Sequence, residues 1–410
     1  MIKSIQLTNF FSFKEEKINL HEQTNLLVGI NGSGKSNLFK ALELLKVGVA
    51  GNGETDLQNL IISKHGGFNS IFCKAVERNT ELSRIKLTFA FDAPKLGTFY
   101  GFPFSNNNVI YSIELNQSTG ENGYITEEKL LIGDFEYLNG FAGAGSLTQK
   151  IAPNDNGTAS IKGKAINYND RELVFAQITG SEIGDFPHLW AIKQAIKELQ
   201  IYTHFDTSFN SQIRKSISAT SISKTLSKDG SNLAQIINLL KINHKKEYRK
   251  LIEAMNDVNP HFKGFDFNML GSGIIELLLD EGGLNSAVHI AHLSDGTLRY
   301  LCLLTILLNP NRGKLICLDE PEMSLHPDMI QGLARLIREI AREQNTTFII
   351  ATHSAHLLDK FDLENIRVFE KYENNVSAVE EYDEDEFEGW YDSFNVGEMW
   401  RAGDIGGKRW

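Results

Sequence analysis

The residues best equipped for chemistry lie in three short stretches. Residues 29–36 read Gly-Ile-Asn-Gly-Ser-Gly-Lys-Ser, the pattern of a phosphate-binding loop. Such a loop turns successive backbone N–H groups inward around an anion. Asn31, Gly32, Ser33 and Gly34 form the cradle, Lys35 meets the β and γ phosphates, and the Ser36 hydroxyl completes a Mg²⁺ shell. Residues 314–320 are an apolar run ending in Asp319 and Glu320. Two carboxylates at the C-terminal end of a strand divide labour: Asp319 holds Mg²⁺ and Glu320 polarises the attacking water as general base. Residues 347–353 are a further apolar run ending in His353, whose imidazole can donate to a γ-phosphate. Each stretch alone has a blander reading, as a glycine-rich turn, an acidic turn or a structural histidine. Their combination points to binding of Mg-ATP and its hydrolysis.

These residues need elements to position them. Residues 25–30 are apolar, and 37–45 carry apolar side chains at helical spacing, so the loop sits between a buried strand and a helix N-terminus facing the anion. His353 stands 34 residues past Asp319 with a helical pattern at 331–340 between, one strand–helix–strand step along a parallel sheet. Residues 2–10 and 16–20 alternate as strands, as do 84–91, 109–115 and 128–132, which Gly, Asn, Pro and Ser separate. An antiparallel sheet is expected there, with a mobile glycine-rich loop at 139–146. Helical spacing takes over at 189–199 and 232–240, and no heptad run supports an extended coiled coil. The expected division is 1–66 and 288–370 for the two halves of a nucleotide-binding head, 67–175 for an antiparallel β-subdomain, 176–287 for a helical lobe and 371–410 for an acidic tail.

Composition bounds the rest. The chain has 410 residues, 41% of them hydrophobic, enough to bury a large core without staples. Cys73, Cys302 and Cys317 lie in apolar strings without a C-x-x-C pair, so reduced buried thiols and a cytoplasmic location are expected. The N-terminus alternates like a strand rather than a secretory signal, and no apolar run approaches the roughly 18 residues of a membrane span; no membrane partner is expected. A net charge of −11 argues against a surface basic all over. Residues 205–250 nevertheless hold nine Lys or Arg against three carboxylates, and 370–388 hold nine carboxylates against Lys371. Each run reads either as a solvated face or as a contact surface, the first for DNA or RNA and the second for a partner.

Further motifs make a family resemblance specific. Residues 293–297 (Leu-Ser-Asp-Gly-Thr) look like an ABC-type signature and 324–327 (Ser-Leu-His-Pro) look like a D-loop. Together with residues 29–36, Asp319-Glu320-Pro321 and His353, this resembles the ABC ATPase heads of the RecF and SMC type, in particular stand-alone AAA-domain ATPases related to overcoming-lysogenization-defect proteins. Residues 7–13, 229–234 and 397–407 also look like that group, so the likeness covers nearly the whole chain. It implies an α/β fold: an ABC-type P-loop head with a mixed or parallel core sheet, an antiparallel β-subdomain, an inserted helical lobe and no long coiled coil. ATP and Mg²⁺ are the implied cofactors. Ser294 and Gly296 of one subunit would contact the γ-phosphate held by its twin, giving a homodimer or higher homo-oligomer.

The departures carry expectations too. Asp295 and Thr297 replace the usual glycine and glutamine of the signature. A carboxylate near a γ-phosphate is unfavourable without a compensating cation, so Asp295 is expected to point away. No glutamine stands out as a Q-loop; Gln58 qualifies by position only. No nuclease domain follows the head, so cutting or toxicity would belong to a separate effector chain. Three functions remain in play: a regulatory ATPase of anti-phage defence that controls such an effector, a RecF-like DNA-repair clamp, and a transporter ATPase subunit, which the β-insert and the missing Q-loop disfavour.

Overall fold

Strand β3 (Thr24–Val28) is buried at all five positions, as a strand covered on both faces must be. Leu27 packs into one hydrophobic cluster while Leu26 and Val28 pack into another, because successive side chains leave opposite faces. In this computed structural model, which describes residues 1–50, 56–77, 83–104, 108–118, 123–151, 160–167, 169–178, 185–218, 223–382 and 395–406, β3 lies inside a six-stranded sheet. Its neighbours are β16 (Thr347–Ala351) and β17 (Ile366–Lys371); β15 (Leu315–Asp319) and then β10 (Gln200–Tyr202) follow on one side, and β18 (Ser377–Glu381) closes the other. All pairs are parallel except β17 with β18.

The second sheet has eight antiparallel strands, in order β2 (Phe13–Asn19), β1 (Ile2–Phe10), β4 (Arg84–Asp92), β5 (Asn108–Gln117), β6 (Tyr124–Ile132), β7 (Phe135–Phe141), β8 (Ala144–Ile151) and β9 (Ser160–Asn167). It runs without a break from the N-terminal strands into the β-insert. The expected glycine-rich loop at 139–146 is instead a hairpin of β7 and β8, with Ala142 (φ 46°) and Gly143 (φ 86°) at the turn. Two left-handed residues give the turn twist that suits a two-residue hairpin, and an alanine in that role hid it from sequence reading.

The segment 176–287 contains the expected helices Pro187–Lys197 and Leu233–Asn243 and a further one, Lys245–Val258. It also holds strands that helical periodicity did not announce: β10, β11 (Ile217–Ser218) and the hairpin of β12 (Phe262–Leu270) with β13 (Ile274–Glu281); β14 (Val288–His289), just beyond the segment, pairs with β13. Cys73, Cys302 and Cys317 are buried and unpaired. Among the described residues no helix is long and apolar enough to cross a membrane. Residues 383–388 of the acidic run lie outside the described residues.

Candidate nucleotide site

β3 ends at Val28 and the helix Lys35–Ala50 begins seven residues later, so residues 29–34 turn at the C-terminal edge of the core sheet. Gly34 sits at φ +113°, and a Cβ there would come within 2.6 Å of Ser377 Oγ, so glycine is required twice over. The loop is braced from behind: Ser377 Oγ donates to Ser12 Oγ at 2.7 Å, and the Asn37 side-chain amide donates to the same oxygen at 2.9 Å. Lys35 is only 7% exposed, and its Nζ donates to Gly29 O at 2.6 Å and Ile30 O at 3.2 Å.

The parallel register brings the other candidates to the same edge. Asp319 pairs opposite Ala351, and β16 lies between β15 and β3. Asn31, Gly32, Ser33, Gly34, Lys35 and Ser36 therefore line one cavity of about 260 Å³ with Asp319, Glu320 and His353. Glu320 takes a left-handed backbone (φ 46°), held by its N–H donating to Ala351 O at 2.8 Å, and its Oε1 lies 3.5 Å from His353 Nε2. A non-glycine residue in that conformation is costly and often marks function.

Burial sets the charge state of the cavity. It pushes the Asp319 carboxyl up to about 6, helped by the neighbouring Glu320 charge and opposed by Lys35. It pulls the Lys35 ammonium down to about 8, against the attraction of Glu320 and Asp319. Desolvation and then Lys35 keep His353 below the usual imidazole range. Such perturbed groups converging in a cleft mark a functional site. The residues fit Mg-ATP: Ser33 Oγ is buried without a partner at the anion cradle, and Ser36 with Asp319 offers the small oxygen set from which Mg²⁺ is held alongside phosphates.

Ser294 and Gly296 do not line this cavity. Ser294 is exposed and caps the helix Asp295–Leu308, its Oγ accepting from Thr297 N at 3.1 Å. Gly296 abuts the backbone of Ser324, where a Cβ would fall 2.4 Å from Ser324 O. Asp295 is held by a cation: Arg214 Nη2 donates to Asp295 Oδ1 at 2.7 Å, and the same guanidinium donates to Thr207 O, Ala291 O and Leu293 O. Arg214 belongs to the basic segment, so part of that charge stabilises the unusual signature rather than facing solvent. Lys228 pairs with Glu43 and Lys250 with Glu339, while Lys245, Lys246 and Arg249 are exposed.

Sequence reading missed Thr203, Asn37 and Met323, which also line the cavity. Thr203 follows β10, whose three residues are too few for a periodic signal. Gln58 does not line it; its N–H donates to Glu172 Oε1 at 3.1 Å.

A family model described as AAA domain, putative AbiEii toxin, Type IV TA system matches residues 24–359. A DNA replication and repair protein RecF from Gloeothece citriformis (strain PCC 7424) is 43% identical over 44 residues, 11% of this chain and 12% of that one. A lipoprotein-releasing system ATP-binding protein LolD from Rickettsia conorii (strain ATCC VR-613 / Malish 7) is 33% identical over 87 residues, 21% of this chain and 38% of that one. The chain thus matches only a minor part of the length of these relatives. An Smc head solved with the C-winged helix domain of ScpA superposes over 94% of this chain and 99% of its own, with a TM-score of 0.55 and 16% identity. An Smc head solved with an extended coiled coil and the C-terminal domain of ScpA derived from Pyrococcus furiosus covers 95% of this chain and 98% of its own, with a TM-score of 0.55 and 15% identity. The fold is that of an SMC-like ABC ATPase head.

Proposed function

We propose that this chain, which belongs to the AAA-domain family described as putative AbiEii toxin, Type IV TA system, is an ATPase that closes as a two-fold pair around Mg-ATP and controls a separate effector chain in anti-phage defence. The observation that carries the ATPase reading is the cavity shared by the phosphate loop, Asp319, Glu320 and His353. Residues 31–36 bind the phosphates, with Lys35 at the β and γ positions. Ser36 and Asp319 hold Mg²⁺, which when bound neutralises the charge developing on the phosphates. Glu320 takes the proton of the attacking water, and His353 donates to the γ-phosphate as its charge grows.

Exposed Ser294, outside its own cavity, supports completion of the site in trans. A two-fold pair places each signature over the other subunit's phosphate loop. Ser294→Arg, which puts bulk and charge at that contact, is expected to abolish hydrolysis and the ATP-dependent rise in mass seen by light scattering, while ATP binding to the single subunit persists. Unimpaired turnover in that variant counts against the trans arrangement. The resemblance supports the effector role by analogy, not by site chemistry.

A second reading, a DNA-binding ATPase, is favoured by exposed Lys245, Lys246 and Arg249 on one helix. If they meet phosphates, replacing all three by Gln lowers the magnitude of the slope of log affinity against log salt by about 0.9 for each phosphate no longer neutralised. A wild-type protein that shows no DNA binding at low salt returns them to a solvated face.

A further inference from the structure

The signature helix reaches the catalytic turn of its own subunit through one buried side chain. Arg299 lies five residues beyond Ser294, about 7.5 Å along the helix and on a different face. It is 4% exposed, and its Nη2 donates to Glu320 O at 3.3 Å. That carbonyl also accepts from Met323 N at 3.1 Å, so it closes the turn whose left-handed first residue aims the Glu320 carboxylate into the cavity.

Two buried atoms beside this contact have no hydrogen-bond partner: Arg299 Nε and Glu322 Oε2. They belong to opposite charges that attract each other, Glu322 being the largest attraction on Arg299. Glu322 is committed on its other oxygen, where Oε1 accepts from Thr352 Oγ1 at 2.6 Å and from His353 N at 3.0 Å. A guanidinium and a carboxylate that attract each other while each keeps one buried atom without a partner are costly to bury unless the pair can tighten. Gly296 adds a second touch, packing its helix turn on Ser324 O.

We propose that Arg299 is a positioning residue that carries engagement of the signature turn to Glu320 of the same subunit, with Glu322 passing the same constraint to His353. When Ser294 meets the second copy's nucleotide, the helix start is fixed, Arg299 is fixed with it, and the Glu320 turn is held in its cleaving geometry. Each site then depends on the other. The inference rests on the proposed paired ATPase.

The test uses the full chain carrying Arg299→Gln, with Arg299→Lys as the conservative partner. Without nucleotide, amide exchange at Met323 and Leu325 is expected to rise by about tenfold in Arg299→Gln while exchange along Lys35–Ala50 stays as in wild type. With Mg-ATP, kcat is expected to fall by at least about tenfold with KM within about twofold, and Arg299→Lys, which keeps the charge, recovers part of the loss. Unchanged exchange at Met323, or an unchanged kcat, overturns the proposal, as does a KM effect alone. If Arg299→Gln fails to fold, Glu322→Gln takes its place, and wild-type kcat there overturns it. A wild-type protein that does not hydrolyse ATP sinks the ATPase reading instead, and the nucleotide-free exchange still reports whether Arg299 holds the turn.

Discussion

Glu320→Gln is expected to leave Mg-ATP bound and to stop its cleavage. The substitution keeps the size of a side chain that lies 3.5 Å from His353 Nε2 at the cavity wall, and removes its negative charge and with it the ability to take a proton. Loss of a positioned general base lowers turnover by a factor on the order of 10²–10⁴. Binding should change little, because Lys35, Ser36 and Asp319 remain. Asp319 gains from the change: the Glu320 charge is the second cause of its raised carboxyl after burial, so the variant ionises it more readily for Mg²⁺. With cleavage blocked, the contacts of Ser294 across the pair persist, and an ATP-bound closed state accumulates that the wild type shows only in passing. Light scattering with Mg-ATP, Mg-ADP and no nucleotide should show the higher mass with Mg-ATP alone, and an effector held by that state should co-elute only then. Turnover at the wild-type rate would remove Glu320 from the role of base.

What the sequence made legible were the pieces dictated locally. Residues 29–36 are written residue by residue, because close backbone approach demands glycine at Gly34 and Lys35 is the residue that the proposed triphosphate would demand. The step from Asp319 to His353 was readable because a parallel crossover needs one helix, and the register of Asp319 with Ala351 bears out that spacing. The illegible parts act across the chain. Arg214 reaches Asp295 over 81 residues, and nothing near either residue announces the pairing. The expected retreat of Asp295 from charge takes the form of this ion pair, with the arginine drawn from a run that reads as surface. Arg299 sits in an apolar helical stretch where a single charge looks like an exception, yet it is the only charged residue among fourteen in that helix besides Asp295. Ala142 misled for a conformational reason, since its left-handed backbone is one that alanine rarely adopts.

Lys35→Ala should erase nucleotide binding, and its effect on the nucleotide-free protein separates two causes. At a ligand concentration 100 times Kd, binding stabilises the folded state by about 2.7 kcal/mol, so the wild type should melt several degrees higher with Mg-ATP. The variant lacks the charge that meets the β and γ phosphates, and the shift should vanish. Without nucleotide, two effects oppose. Removing Nζ strips Gly29 O and Ile30 O of a donor, which costs stability. It also removes a buried ammonium whose folded value, about 8, lies below its ordinary 10.5. The unfolded chain therefore holds the extra proton between those values, so wild-type stability climbs as pH rises from about 8 toward 10.5, and the penalty is fully present below 8. The climb amounts to about 3.5 kcal/mol at about 1.4 kcal/mol per unit. Thermal melts across that window should show the rise in wild type and its absence in Lys35→Ala. A variant that still melts higher with Mg-ATP would take residues 29–36 out of the nucleotide site, whatever its pH curve.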